Sequence, residues 1–175
     1  RGTLFSHYAI VLKKLMPKMF LAENVKGLIS HDKGNTLEII LNTFKEVGYQ
    51  VQYKVLNAWD YDTPQKRERI FIVGIRNDLA SKIYYEFPKT TGLRPVLSDV
   101  LYNVPPSPGI LYSESKKKVM DLVPPGGCWV DLPEDIAKEY MKTTYYMGGG
   151  RRGIARRLSM DEPSLTLTTS PAMKQ

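Results

Sequence analysis

Apolar residues at Leu4, Tyr8, Val11, Leu12 and Leu15 recur at helical spacing, and Pro17 stops the helix they predict. The continuous apolar run Met19-Phe20-Leu21-Ala22 predicts a short strand buried on both faces. A polar stretch follows from Lys26 to Asn35. Leu37, Ile40, Leu41, Phe44 and Val47 then predict a second helix with one apolar face, closed by Gly48 as a left-handed C-cap. Val51, Tyr53 and Val55 alternate as a strand. After a loop around Asp60 to Pro64, Ile70-Phe71-Ile72-Val73-Gly74-Ile75 predicts another buried strand. The order is therefore helix, strand, helix, strand, strand. Its strand–helix–strand portion is an α/β crossover, expected to be right-handed and part of a mostly parallel sheet. It holds too few strands for a complete doubly wound sheet, which predicts further strands before Arg1.

The pattern changes after Leu79. Pro88, Pro95, Pro105, Pro106, Pro108, Pro124, Pro125 and Pro133 interrupt the next stretch, with short helices expected near Ser113–Leu122 and Pro133–Met141. Gly148-Gly149-Gly150-Arg151-Arg152-Gly153-Ile154-Ala155-Arg156-Arg157 reads as a flexible, strongly basic loop, and Ser164 to Thr169 has strand-like Thr/Leu alternation. The expected fold class is α/β: a partial doubly wound sheet in residues 1–80, plus a small irregular domain in residues 85–175. The chain opens on Arg1 rather than Met and stops at Gln175 after a Thr-rich apolar segment, which reads as truncation at both ends.

Composition narrows the classes. With 42% hydrophobic residues in 175, a packed core is expected rather than disorder. Lys and Arg number 25 against 18 Asp and Glu, a formal charge of +7. Such an excess means either a solvated basic surface or a polyanionic partner, above all nucleic acid. Cys128 is the one cysteine, which excludes an intrachain disulfide and a Cys-based zinc site. His7 and His31 have no partner at metal-ligand spacing, so no metal is expected. No apolar run reaches the ~18–20 residues that cross a bilayer. The N-terminus carries no secretory signal, and a cytoplasmic, membrane-free location is expected.

Two groups of residues can carry chemistry. Glu23 follows the first buried run, at the C-terminal edge of the expected sheet, where open α/β sheets place ligands. A carboxyl flanked there by apolar residues can have a raised pKa and act as a proton donor; equally, a strand-end Glu can form a salt bridge or face water. Gln65, Arg67 and Arg69 are spaced by two, so an extended segment puts all three on one face and turns Lys66 and Glu68 away. One amide and two guanidiniums on a face could hold a carbonyl, a phosphate or a carboxylate. The same array could also be an exposed lead-in to the buried strand.

The ordered series Glu23-Asn24-Val25, Asn57-Ala58, Pro64-Gln65-Lys66-Arg67-Glu68-Arg69-Ile70 and Arg76-Asn77-Asp78-Leu79 resembles the motifs of bacterial DNA cytosine-5 methyltransferases. Arg1-Gly2-Thr3-Leu4-Phe5 resembles the segment shortly after that family's Pro-Cys nucleophile loop. Arg157-Leu158-Ser159-Met160-Asp161-Glu162-Pro163-Ser164-Leu165-Thr166 resembles the motif before its C-terminal helix. The resemblance implies an S-adenosylmethionine-dependent enzyme of a restriction-modification system, acting on a cytosine flipped out of double-stranded DNA. A thiolate adds to C6 and C5 takes the methyl group. Glu23 would contact or protonate cytosine N3, Arg69 would hold the O2 side and the carboxylate, and Arg67 would assist. Asn24 and Gln65 would order neighbouring loops, and Thr3 and Leu4 would lie beside the cofactor. Residues from about 85 to 157 would form the target-recognition domain, with Arg151, Arg152, Arg156 and Arg157 reading bases or touching phosphates.

Two departures from the family pattern stand out. Its glycine-rich cofactor loop and Pro-Cys loop would precede Arg1, so the nucleophile and most of the cofactor pocket are expected outside this chain. Cys128, in the turn Pro124-Pro125-Gly126-Gly127-Cys128-Trp129, reads as a free, semi-buried thiol. An incomplete sheet leaves an open edge, which predicts self-association. A DNA-binding specificity subunit of a split or non-catalytic homologue is the second reading. A nucleotide-binding oxidoreductase is a third, but the Gly-x-Gly-x-x-Gly turn it requires is missing.

Overall fold

The computed structural model of the protein describes residues 4–106, 111–147 and 154–167. Arg1–Tyr61 with Arg67–Gly92 form one compact unit, and Asp62–Lys66 with Leu93–Gln175 form a second.

In the first unit α1 (Leu4–Leu15) leads to β1 (Met19–Val25), and two 3-10 turns fill the polar stretch before α2 (Asn35–Glu46). Next come β2 (Tyr49–Asn57) and a 3-10 turn, Ala58–Tyr61; beyond β3 (Gln65–Lys66), which belongs to the second unit, the chain returns as β4 (Glu68–Arg76). The sheet is three-stranded, in the order β1-β4-β2, and β4 is antiparallel to both neighbours. The mostly parallel sheet expected from sequence is therefore not formed. β1 and β2 do run in one direction, but β4 lies reversed between them. The link from Asn57 to Glu68 contains no α-helix, only the 3-10 turn, and parallel strands need a crossover of about a dozen or more residues, usually an α-helix. Without one, β4 comes back antiparallel and takes the central slot, where a continuous apolar strand is covered on both faces.

Burial follows this order. Ile70, Ile72, Val73 and Ile75 of β4 are all buried. In β1, by contrast, only Phe20 is buried and Leu21 is 59% exposed, so the expectation of a strand covered on both faces fails at this sheet edge. The stripe expected for α1 is also rotated. Ala9 and Leu12 are buried and Phe5 and Tyr8 pack on the core, whereas Leu4, Val11 and Leu15 face outward. Apolar residues cover so much of this helix that its periodicity allows two overlapping stripes. α2 behaves as expected, with Leu37, Ile40 and Phe44 inward. Gly48 closes it at φ +100°, its N–H donating to Lys45 O.

The core between helices and sheet is aromatic. The Phe20 ring stands edge-on to Phe44 at 4.9 Å and to Tyr49 at 5.1 Å, and buried Tyr49 donates its hydroxyl proton to Pro17 O at 2.8 Å. Phe20 sits opposite Gly74 in the β1–β4 register, and its ring occupies the space a Cβ there would need. Gly74→Ala is therefore an overpacking change, expected to cost about 1–3 kcal/mol and to lower the urea midpoint at unchanged m. An unaltered midpoint would show that the Phe20 ring can swing aside.

At the end of β4, Arg76 ties strand to helix exit. Its Nη1 donates to Met16 O at 2.5 Å, its N–H to Lys18 O, and its Nε to Asp78 Oδ1 at 2.7 Å. The hydrogen bond from Arg76 holds the Asp78 carboxyl below the usual aspartate range. The pair thus favours the fold above that range, and its contribution is lost as pH falls through the depressed value. Asp78→Asn should be less stable than the parent at neutral pH, with the gap closing in acid denaturation. A gap independent of pH would refute the linkage.

The second unit holds α3 (Leu97–Val100), α4 (Glu114–Leu122) and α5 (Glu134–Met141), with 3-10 turns at Trp129–Asp131 and Lys142–Tyr146. Ser113 caps α4 by accepting the Lys116 N–H. Val123, Leu132 and Ala137 make its small core against Val119, Trp129 and Tyr145. β3 pairs in parallel with β5 (Ser164–Leu165), which ends before Thr166; Thr168 and Thr169 of the expected strand lie outside the described residues. Among the described residues no helix is long and apolar enough to cross a membrane.

Candidate functional site

Glu23 lies inside β1 rather than after it, because β4 pairs with β1 as far as Val25. Side chains alternate along strands, and paired residues share a face. The register therefore puts Glu23 on the same side as Phe71, and Arg69 on that side one step along β4. This is the face away from the helices. Glu23 and Arg69 are diagonal neighbours there, a separation long side chains span. Arg69 Nε meets Glu23 Oε1 at 2.9 Å, and Arg67 Nη2 approaches the same oxygen at 4.0 Å.

The Arg69 side chain is only 17% exposed, while that of Glu23 is 44% exposed. The guanidinium is thus the fixed partner and the carboxylate the accessible one. Arg69 Nη1 also donates to Glu68 O at 2.8 Å, which leaves its fork little freedom. On the opposite strand face Glu68 is held by Lys26 Nζ at 2.7 Å and 2.9 Å, so it does not compete with Glu23 for the arginines. The expectation of a carboxyl flanked by apolar groups is replaced by one flanked by cations.

These groups line a cavity of about 300 Å³, with Leu56, Phe71 and Pro88 on its apolar side. Tyr61 donates its hydroxyl proton to Pro88 O at 3.0 Å, and Gln52 Nε2 donates to Tyr85 O at 2.8 Å. Together these bonds hold the segment through Pro88 against the sheet. The hollow is large enough for a planar heterocycle, with an acceptor and several donors along one edge and apolar walls beside them. Leu56, Tyr61, Phe71 and Pro88 were not singled out in sequence, since apolar residues at a strand face carry no chemical signature until the register is known.

The donor face read from residue spacing divides. Arg67 and Arg69 turn to Glu23, while Gln65 is in β3, where its Nε2 donates to Ser164 Oγ at 3.4 Å. Asn24 accepts the Val25 N–H at 2.8 Å, a local bond. Leu4 is 78% exposed and lines a second cavity of about 400 Å³, whose walls include Phe5, Leu21, Glu23 and Asn24. Thr3, Arg151 and Arg152 lie outside the described residues. Arg156 and Arg157 line a cavity of about 800 Å³ in the second unit, with Tyr112, Lys117 and Asp121. Arg157 also has a structural task, donating from Nη1 to Val123 O at 3.0 Å and exchanging backbone bonds with Gly126 and Gly127. Cys128 is buried, and its N–H donates to Asp131 Oδ2 at 2.8 Å.

The fold is of the α/β class. Its backbone superposes on the crystal structure of a DNA modification methyltransferase encoded within an E. coli prophage, with a TM-score of 0.58 and 21% identity, over 99% of this chain and 60% of that one. Residues 1–156 match the family of C-5 cytosine-specific DNA methylases, and the chain belongs to that family. It is 58% identical to the type II methyltransferase M.Sau96I of Staphylococcus aureus, covering 100% of this chain and 41% of that protein. It is 51% identical to the type II methyltransferase M.Eco47II of Escherichia coli, covering 100% of this chain and 44% of that protein. The chain thus spans under half the length of these relatives.

Proposed function

We propose that this chain supplies the base-holding side of a DNA cytosine-5 methyltransferase, acting on a cytosine turned out of the duplex. The observation that carries the proposal is the Glu23–Arg69 pair on the wall of a base-sized cavity, in a chain of this family. Cytosine offers a ring nitrogen and a carbonyl oxygen side by side. A carboxyl group at N3 and a guanidinium at O2 match that edge and draw charge from the ring as a nucleophile adds at C6. Glu23 takes the N3 side, Arg69 the O2 side while orienting the carboxyl, and Arg67 adds positive potential. Leu56, Phe71 and Pro88 exclude water from the ring faces.

We assign the thiol nucleophile to a segment beyond these residues, because Cys128 is buried and its loop is tied to Asp131. S-adenosylmethionine, when bound, supplies an electrophilic methyl group. Leu4 and Phe5 fit one apolar wall for it and Asn24 a polar contact, with the rest of that pocket also placed beyond these residues. The second unit we assign to target recognition in double-stranded DNA, with Arg156 free to reach bases or phosphates and Arg157 more firmly committed to its own loop. Asn24 and Gln65 keep local ordering roles.

The test is methyl transfer by the full-length protein from labelled S-adenosylmethionine to duplex DNA, followed by analysis of the modified base. Label in 5-methylcytosine is expected; label on an exocyclic nitrogen of cytosine or adenine overturns the assignment. Duplex binding without any transfer would favour the second reading, a specificity subunit, for which the buried state of Cys128 speaks. In the same preparation, duplex affinity should fall linearly with salt on logarithmic axes. A flat response would remove the phosphate contacts from the proposal.

A further inference from the structure

Asn57, the last residue of β2, is half-buried. Its Oδ1 accepts the Arg67 N–H at 3.1 Å and the Trp59 N–H at 3.4 Å. The next residue completes a clamp, since the Ala58 N–H donates to Arg67 O at 3.0 Å. Both backbone groups of Arg67 are thereby bonded to the dipeptide Asn57-Ala58. This matters because Arg67 lies in neither β3 nor β4 and has no ladder bonds of its own. It is also where the chain returns from the second unit to the first.

We infer that Asn57 is a positioning residue that fixes the backbone of Arg67 and thereby aims Arg67 and Arg69 at Glu23. The inference rests on the proposed function, since it assigns Asn57 a part in the same site. The amide suits the task for a physical reason. Asx side chains mimic a turn by bonding the N–H two residues on, and the second lone pair of the oxygen can take a further donor. Here the first lone pair orders the turn at Trp59 and the second reaches across to Arg67. An apolar residue of equal size would leave two half-buried N–H groups without this acceptor and release the start of β4.

The test compares Asn57→Leu with Asn57→Asp, which keeps the accepting oxygen, using Gly74→Ala as a control for loss of stability alone. In the full-length enzyme Asn57→Leu should lower kcat by about tenfold to a hundredfold, the penalty of misplacing reacting groups by around an ångström. KM for DNA should change little. Asn57→Asp should recover most of kcat, and Gly74→Ala should keep it. In the same full-length enzyme, amide hydrogen exchange at Arg67 should quicken in Asn57→Leu and stay slow in Asn57→Asp. Unchanged kcat in Asn57→Leu, or Asn57→Asp as damaged as Asn57→Leu, overturns the inference. A Glu23→Gln control separates the two failures: if it too leaves kcat intact, the site assignment falls, and if it alone lowers kcat, only the role of Asn57 falls.

Discussion

Glu23→Gln in the full-length enzyme should lower kcat by about two to three orders of magnitude, the cost of losing one well-placed stabilising group in a transition state. The substitution is close to isosteric, and the amide oxygen can still accept from Arg69 Nε, which now sits 2.9 Å from the carboxylate. What it removes is the acidic function at N3. The fold should hardly notice, because an ion pair with an exposed partner contributes only about 0–1 kcal/mol. Glu23 has such exposure, at 44% of its side chain. KM for DNA should be nearly unchanged as well, since phosphate contacts dominate affinity and Glu23 makes none. The expected signature is thus a collapse of kcat with melting temperature and DNA affinity preserved. A kcat within a few-fold of the parent would remove Glu23 from the chemistry.

How much of this site was legible in sequence depends on which interaction placed each residue. Glu23 and Arg69 were legible as candidates because each abuts an apolar run of strong strand character, Glu23 just after Met19–Ala22 and Arg69 just before Ile70–Ile75. Gln65 was misgrouped with them. Spacing by two assumes one continuous strand, and the chain instead leaves the sheet before Arg67, giving Gln65 to Ser164. The strand order was not legible at all. It is decided by a return from Asn57 to Glu68 that lacks an α-helical crossover, which puts β4 reversed between β1 and β2. The clamp at Asn57 was hidden by that same step, since a single side-chain oxygen acquires meaning only when a distant backbone N–H comes within 3.1 Å. In the second unit, the arginines near residue 157 read as a uniform basic loop, whereas Arg157 gives its Nη1 donor to the carbonyl of Val123.

Phe44→Ala is expected to destabilise the first unit by about 3–5 kcal/mol, the usual cost of deleting a buried aromatic ring. Phe44 is 1% exposed, and its ring meets Tyr8 at 5.9 Å and Phe20 at 4.9 Å, both edge-to-face. Such pairs contribute about 0.5–1.5 kcal/mol each beyond area burial, so the change removes two favourable contacts as well as a ring's volume. Neighbouring elements cannot close the gap easily. Phe20 is already pinned between Tyr49 and the bare Gly74, and Tyr8 is tied to Leu21 O by its hydroxyl. Domains are stable by only about 5–15 kcal/mol, so much of the population should unfold at modest urea. Leu15→Ala is the informative companion. Leu15 belongs to the stripe that periodicity assigns to the core, but it is 73% exposed on α1, and its truncation should cost no more than about 0.5 kcal/mol. Urea midpoints for the two variants in this chain decide the matter. Equal losses would mean that α1 packs through its outward stripe, and the helix orientation described here would have to be abandoned.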